Sequence, residues 1–154
     1  MYTPLADRHR MAMHRGYSLM ELMVAVSILA ILTGIAYPSY AAYVKRANRT
    51  DATSALIQAA QALQRCYSQL MTFDYSNCTN VVPASSPNGY YAITVVPVSP
   101  TSTAVSTYVL TATATKPPQT KDTQCYSFTL NSVGVQVAYT STSVVNTTTC
   151  WPTN

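Results

Sequence analysis

Charge is what this sequence has least of. Only 9% of its 154 residues are Asp, Glu, Lys or Arg, against roughly 25% in an ordinary soluble domain. Acids are scarcest, five in all. Those beyond the first stretch, Glu21, Asp51, Asp74 and Asp122, are too scattered for a paired-carboxylate site or a calcium loop. Histidine occurs twice, as His9 and His14, both ahead of the main apolar run. A chain beginning after them has no His-based triad. The four cysteines, Cys66, Cys78, Cys125 and Cys150, never form a C-x-x-C pair, which excludes the usual zinc arrangements. Nothing here points to an enzyme, and no metal or cofactor is implied. There is no internal repeat.

What is present is apolar. Hydrophobic residues make up 48% of the chain, so part of that surface belongs in lipid or a subunit interface. The run Leu22–Tyr37, "LMVAVSILAILTGIAY", holds no charge. It is about 16 residues long, or about 20 with its flank from Tyr17, at the lower edge of what spans a bilayer. Arg8, Arg10 and Arg15 precede it, offset only by Asp7, which predicts an N-in, C-out orientation. From Tyr17 onward six basic residues face four acids, a balance of +2. That excess is too small to assert nucleic-acid binding.

Three readings of the run compete. A secretory signal peptide would need a small-x-small site behind the run, and none is convincing before Tyr37. A plain single-span anchor leaves Glu21 unexplained. A leader cut ahead of the run accounts for both the acid and the preceding Gly16. With a membrane-directed segment, four cysteines imply two disulfides in an oxidising compartment. Three pairings are open. Cys66–Cys78 with Cys125–Cys150 is favoured because each closes a sequence-local loop.

Beyond the run a helical period continues. Ala52, Leu56, Ala59, Leu63, Cys66 or Tyr67, and Leu70 recur in steps of three and four, with Arg49, Gln58, Gln61 and Arg65 on other faces. No proline lies between Ser39 and Phe73. One long helix is predicted, weakened at Gly34 and Pro38. At 1.5 Å per residue, roughly 50 residues would reach about 75–80 Å, so the apolar half is expected to protrude toward lipid or other subunits. After Cys78 come turn signals at Pro83 and Pro87–Gly89. Strand-like runs follow at Tyr90–Val96, Tyr108–Thr115, Cys125–Leu130 and Val133–Tyr139. The last two read as a hairpin around "LNSVGV", and Val98–Ser106 reads as a solvated loop. The expected architecture is α+β: one long helix against a four-stranded antiparallel sheet.

The stretch "GYSLMELMVAVSILAILTGIAYPSY" resembles the leader junction and N-terminal helix of type IV pilins and the related pseudopilins. Their usual form is Gly, then Phe-Thr-Leu-Ile-Glu, then a hydrophobic helix. By position, the resemblance makes Gly16 the last leader residue before a prepilin peptidase cut and Tyr17 the N-methylated mature terminus. Glu21 falls fifth and Pro38 twenty-second in the mature chain, both family hallmarks. Tyr17 for Phe and Ser18-Leu19-Met20 for Thr-Leu-Ile are mild departures. The leader is long for the family, so Met11 or Met13 competes with Met1 as the start, the latter leaving "MHRG". The segment Tyr40–Tyr67 and the C-terminal "DTQCYSFTLNSVGVQ" with "CW" (Cys150-Trp151) are similar to PilE-type minor pilins.

The resemblance implies the pilin fold with residues 1–16 as leader, 17–44 as transmembrane and assembly helix, and 45–154 as globular domain. It also implies a Gram-negative inner-membrane precursor that meets an assembly platform and joins other pilin subunits in a helical extracellular fibre. There Glu21 would meet the cationic N-terminus of a neighbour, recovering part of the roughly 2.5–3.5 kcal/mol cost of a carboxylate at bilayer depth; the bland alternative is a side chain that snorkels to the interface. Gly34 and Pro38 would mark a section that loosens on assembly, or an ordinary membrane-helix kink. Two alternatives stand beside the structural subunit. One is a DNA-receptor minor pilin using Lys116 and Lys121, opposed by the absence of a basic stripe. The other is a type II secretion pseudopilin, which the two disulfides and the "CW" end disfavour.

Overall fold

The computed structural model of the protein describes residues 16–71, 81–98 and 107–151. Cys78, Asp74, residues 1–15 with Met1, Met11 and Met13, and the Ser/Thr stretch at 99–106 lie outside the described residues. The chain divides into two compact units, Met1–Ser39 and Tyr40–Asn154. Helix α1 (Leu19–Leu70) belongs to both.

In the first unit the helix starts where its sequence tells it to. Ser18 stands just before the first helical residue, and its hydroxyl accepts the Glu21 amide at 3.2 Å. This is the first half of a Ser-x-x-Glu capping box, which satisfies an otherwise orphaned N–H. The two hydroxyls inside the apolar run are satisfied locally. Ser27 donates to the Met23 carbonyl and Thr33 to the Leu29 carbonyl, both at 2.7 Å, which lets polar residues sit in an apolar helix. Every large apolar side chain from Leu22 to Ile35 is exposed, and α1 is by length and composition long and apolar enough to cross a membrane. Helical backbone continues through Gly34 and Pro38, although Pro38 has no N–H to give the Gly34 carbonyl.

The second unit builds its core from one face of α1 and one face of a sheet. Strands β1 (Tyr91–Val98), β2 (Thr107–Ala114), β3 (Ser127–Asn131) and β4 (Gln136–Tyr139) form an antiparallel meander in that order. Register is set by pairs such as Ile93↔Ala112, Ala112↔Phe128 and Phe128↔Ala138. Alternation places Tyr108, Leu110, Ala112 and Ala114 inward, the face expected from the two-residue period. From the helix come Ala52, Ala55, Leu56, Ala59, Leu63 and Cys66. Leu70, expected on that stripe, is half exposed at the helix end. Phe128 sits at the centre, edge-on to Tyr91 at 5.8 Å and to Trp151 at 5.9 Å, the arrangement aromatic quadrupoles prefer.

The hairpin boundaries differ from the sequence expectation. The fourth strand begins at Gln136 rather than Val133. The Asn131 side chain accepts the amides of both Val133 and Val135, and Gly134 takes φ +89°, so these residues form the turn itself. The third strand starts at Ser127, two residues later than expected. Beyond β4 the chain turns back: Val145 bridges to Tyr139, and a short helix α2 (Thr147–Cys150) follows. Trp151 then closes the core, its indole N–H donating to the Val137 carbonyl at 3.1 Å.

Candidate functional site

The chemistry-bearing residues of the globular unit gather around the segment that joins β2 to β3 and the disulfide that follows it. Cys125 and Cys150 are bonded, with Cα atoms 5.5 Å apart, as the sequence-local pairing anticipated. The other expected bond involves Cys78, outside the described residues; Cys66 itself is not a free thiol.

Asp122, three residues before Cys125, is 3% exposed. Both its oxygens face the Arg49 guanidinium of α1, Nε at 2.7 Å from Oδ2 and Nη2 at 3.1 Å from Oδ1. Such a two-point contact is the strong form of a charge-assisted hydrogen bond. The remaining Arg49 nitrogen, Nη1, donates to the Thr149 carbonyl at 3.5 Å. Arg49, set off the apolar stripe by the helical period, is nonetheless largely covered. It ties α1 to the disulfide-closed segment.

Gln119 lies in a single 3-10 turn (Gln119–Lys121) and is fully buried. Its amide donates to the Lys45 carbonyl at 3.2 Å and the Tyr91 hydroxyl at 2.7 Å. Burial pushes the Tyr91 phenol up to about 12, and the Gln119 hydrogen bond pulls the other way. Asp51 of α1, also buried, accepts from the Ser86 hydroxyl and the Asn88 amide. It thereby pins the turn before β1, where Gly89 has φ +70°. Lys116 lies beside that turn: a Cβ on Gly89 would come within 3.3 Å of Lys116 Nζ.

The consequence is a segregation of charge. Among the described residues of the globular unit both carboxylates, Asp51 and Asp122, are buried and engaged. Arg46, Arg65, Lys116 and Lys121 are exposed, and Lys45 is half-buried. Within those residues six cations face these two acids, and burial takes both acids but only one cation, Arg49, from the surface. Lys116 and Lys121 lie on either side of Gln119 in the connection between β2 and β3, both exposed. Glu21, Gly34 and Pro38 fall in α1, with Gly16 and Tyr17 just before it. A Cβ at Gly34 would meet nothing within 4 Å, so no contact within the chain requires glycine there.

Comparison with known proteins bears on this surface. A family model described as type IV minor pilin ComP, DNA uptake sequence receptor, matches residues 38–129. The chain belongs to that family. This minor pilin also carries the prokaryotic N-terminal methylation motif over residues 11–37, and pilins are structural proteins rather than enzymes. Among solved structures it is similar to the non-core minor pilin PilV of Neisseria meningitidis, in a selenomethionine crystal form. That likeness has 22% identity and TM-score 0.49, covering 66% of this chain and 93% of that one. No curated protein matches. The minor pilin's matched region contains Asp51, Arg49, Lys116, Gln119, Lys121 and Asp122, but ends before Cys150.

Proposed function

We propose that this minor pilin binds DNA through Lys116 and Lys121 while serving as a subunit of a type IV pilus. The observation that carries the DNA reading is the charge segregation: exposed cations with no exposed carboxylate among the described residues of the globular unit to neutralise them. A polyanion is the partner such a surface suits, and phosphate contacts supply most non-specific affinity. The family's printed description, a DNA uptake sequence receptor, supports the same reading. The test is a gel shift of the globular unit, Tyr40–Asn154, with short duplexes at low and physiological salt. Binding should weaken as salt rises and weaken further in Lys116→Ala/Lys121→Ala. No shift at low salt would remove the DNA role and leave the structural one.

The structural role proceeds by the steps the leader motif suggests. Prepilin peptidase cuts after Gly16, and Tyr17 becomes the methylated, cationic terminus. The precursor waits in the inner membrane of a Gram-negative bacterium, N-terminus inside. The assembly platform then moves it into the fibre beside other pilin subunits. Glu21 registers the incoming subunit by meeting a neighbour's terminal amine, while Gly34 and Pro38 let the helix loosen as it leaves the bilayer.

A further inference from the structure

Lys45 and Arg46 lie in α1 shortly after the apolar run, and their surroundings differ from those of the other cations. Tyr40 and Tyr43, one turn apart, come first and are each about two-thirds exposed. An apolar run, then tyrosines, then cations is the order a helix shows on leaving a bilayer, because phenols favour headgroup depth and cations favour phosphate. The two cations also border a built cleft of about 450 Å³. Its helical wall is Lys45, Arg46 and Arg49, and its other wall is the disulfide-closed segment with Asp122, Gln124 and Thr149.

Inside this cleft Asp122 is no obstacle to an anion, since Arg49 covers both its oxygens. Arg49 is equally spent, leaving Lys45 and Arg46 as the available charges. The Lys45 turn is held from beneath by the Gln119 amide on its carbonyl. The cleft is thus a cationic recess with mixed polar and apolar walls, on a helix whose apolar run ends shortly before it.

We propose that the cleft bordered by Lys45 and Arg46 takes the phosphate of an anionic phospholipid headgroup while the chain is held in the bilayer. A headgroup seated there would add an ionic tie between chain and lipid before assembly and would have to be released on extraction. The proposal rests on the reading of α1 as a membrane anchor. It is separate from DNA contact at Lys116 and Lys121.

The full-length chain should be reconstituted in bilayers of equal phosphatidylethanolamine and phosphatidylglycerol, then released for native mass spectrometry. Phosphatidylglycerol should be retained preferentially. Lys45→Gln or Arg46→Gln should cut that preference by roughly five-fold each, the equivalent of about 1 kcal/mol per cation. Lys116→Gln/Lys121→Gln should leave it unchanged. Equal retention of the two lipids by the wild type overturns the proposal. So does loss of inorganic phosphate or duplex DNA binding in Lys45→Gln/Arg46→Gln without any lipid preference to lose, which would make the cleft a general anion site. Failure of the wild type to enter bilayers at all would instead defeat the anchor reading on which the proposal stands.

Discussion

At Asp122 one carboxylate answers three donors: two guanidinium nitrogens of Arg49 and, at 3.4 Å, the amide of Cys125. Replacing it by Asn leaves the Arg49 side chain, 14% exposed, without its counter-charge. We expect Asp122→Asn to destabilise the globular unit by roughly 3 kcal/mol, measured by chemical denaturation, and Arg49→Met in the same chain to restore much of it. Tyr91 gives a pH signature. An unfolded tyrosine ionises near about 10, whereas the buried Tyr91 holds its proton to about 12. Its contribution is fully present below about pH 10 and is lost as pH rises from about 10 to about 12. Burial raises Tyr108 in the same direction. Denaturation midpoints should fall more steeply across that window in the wild type than in Tyr91→Phe. Neither residue's role was legible in the sequence. Arg49 and Asp122 are 73 positions apart, and no periodicity encodes which distant carboxylate a helical arginine will meet.

Elements were far more legible, because local physics specifies them. The three-and-four spacing of Ala52, Leu56, Ala59 and Leu63 and the alternation through β2 each selected the face that is buried. Boundaries were less so. The expected start of the fourth strand at Val133 failed because the Asn131 side chain captures two amides, a choice apolar patterning does not record. At the start of α1 the sequence carries a usable signal beyond the apolar pattern. Ser18-Leu19-Met20-Glu21 spells a capping box, so Glu21 has a local reason for its place, at the helix end that favours negative charge, besides the proposed pairing. Glu21→Leu separates the two. Losing only the local effect costs a few tenths to 1 kcal/mol of helix stability and leaves the variant able to enter fibres. Losing registry leaves it in the membrane fraction. We expect the second result, read by immunoblotting sheared fibres against membranes.

For the whole molecule, the change from a helical to a two-residue period gave the fold class, and the short motif around Gly16 gave the family resemblance. Surface charge was not available from a count. Among the described residues of the globular unit the exterior is cationic because the interior takes in Asp51 and Asp122 with only one arginine, and that depends on which polar partners the tertiary structure offers. Processing is likewise a property of the full chain in its setting. Mass spectrometry of the N-terminus from sheared fibres should find methylated Tyr17. An intact leader there would refute cleavage after Gly16.

The internal hydrogen bonds of Ser27 and Thr33 have one further effect. With both hydroxyl protons given to their own backbone, Glu21 is the one charged side chain between Leu19 and Ala36. A neighbouring helix lying along this stretch meets a greased rod: it can slide or rotate without breaking a polar bond, held by shape alone. On the proposed pairing of Glu21 with a neighbour's amine, such a rod has a single detent, near its tip, where the carboxylate catches that charge and stops the motion.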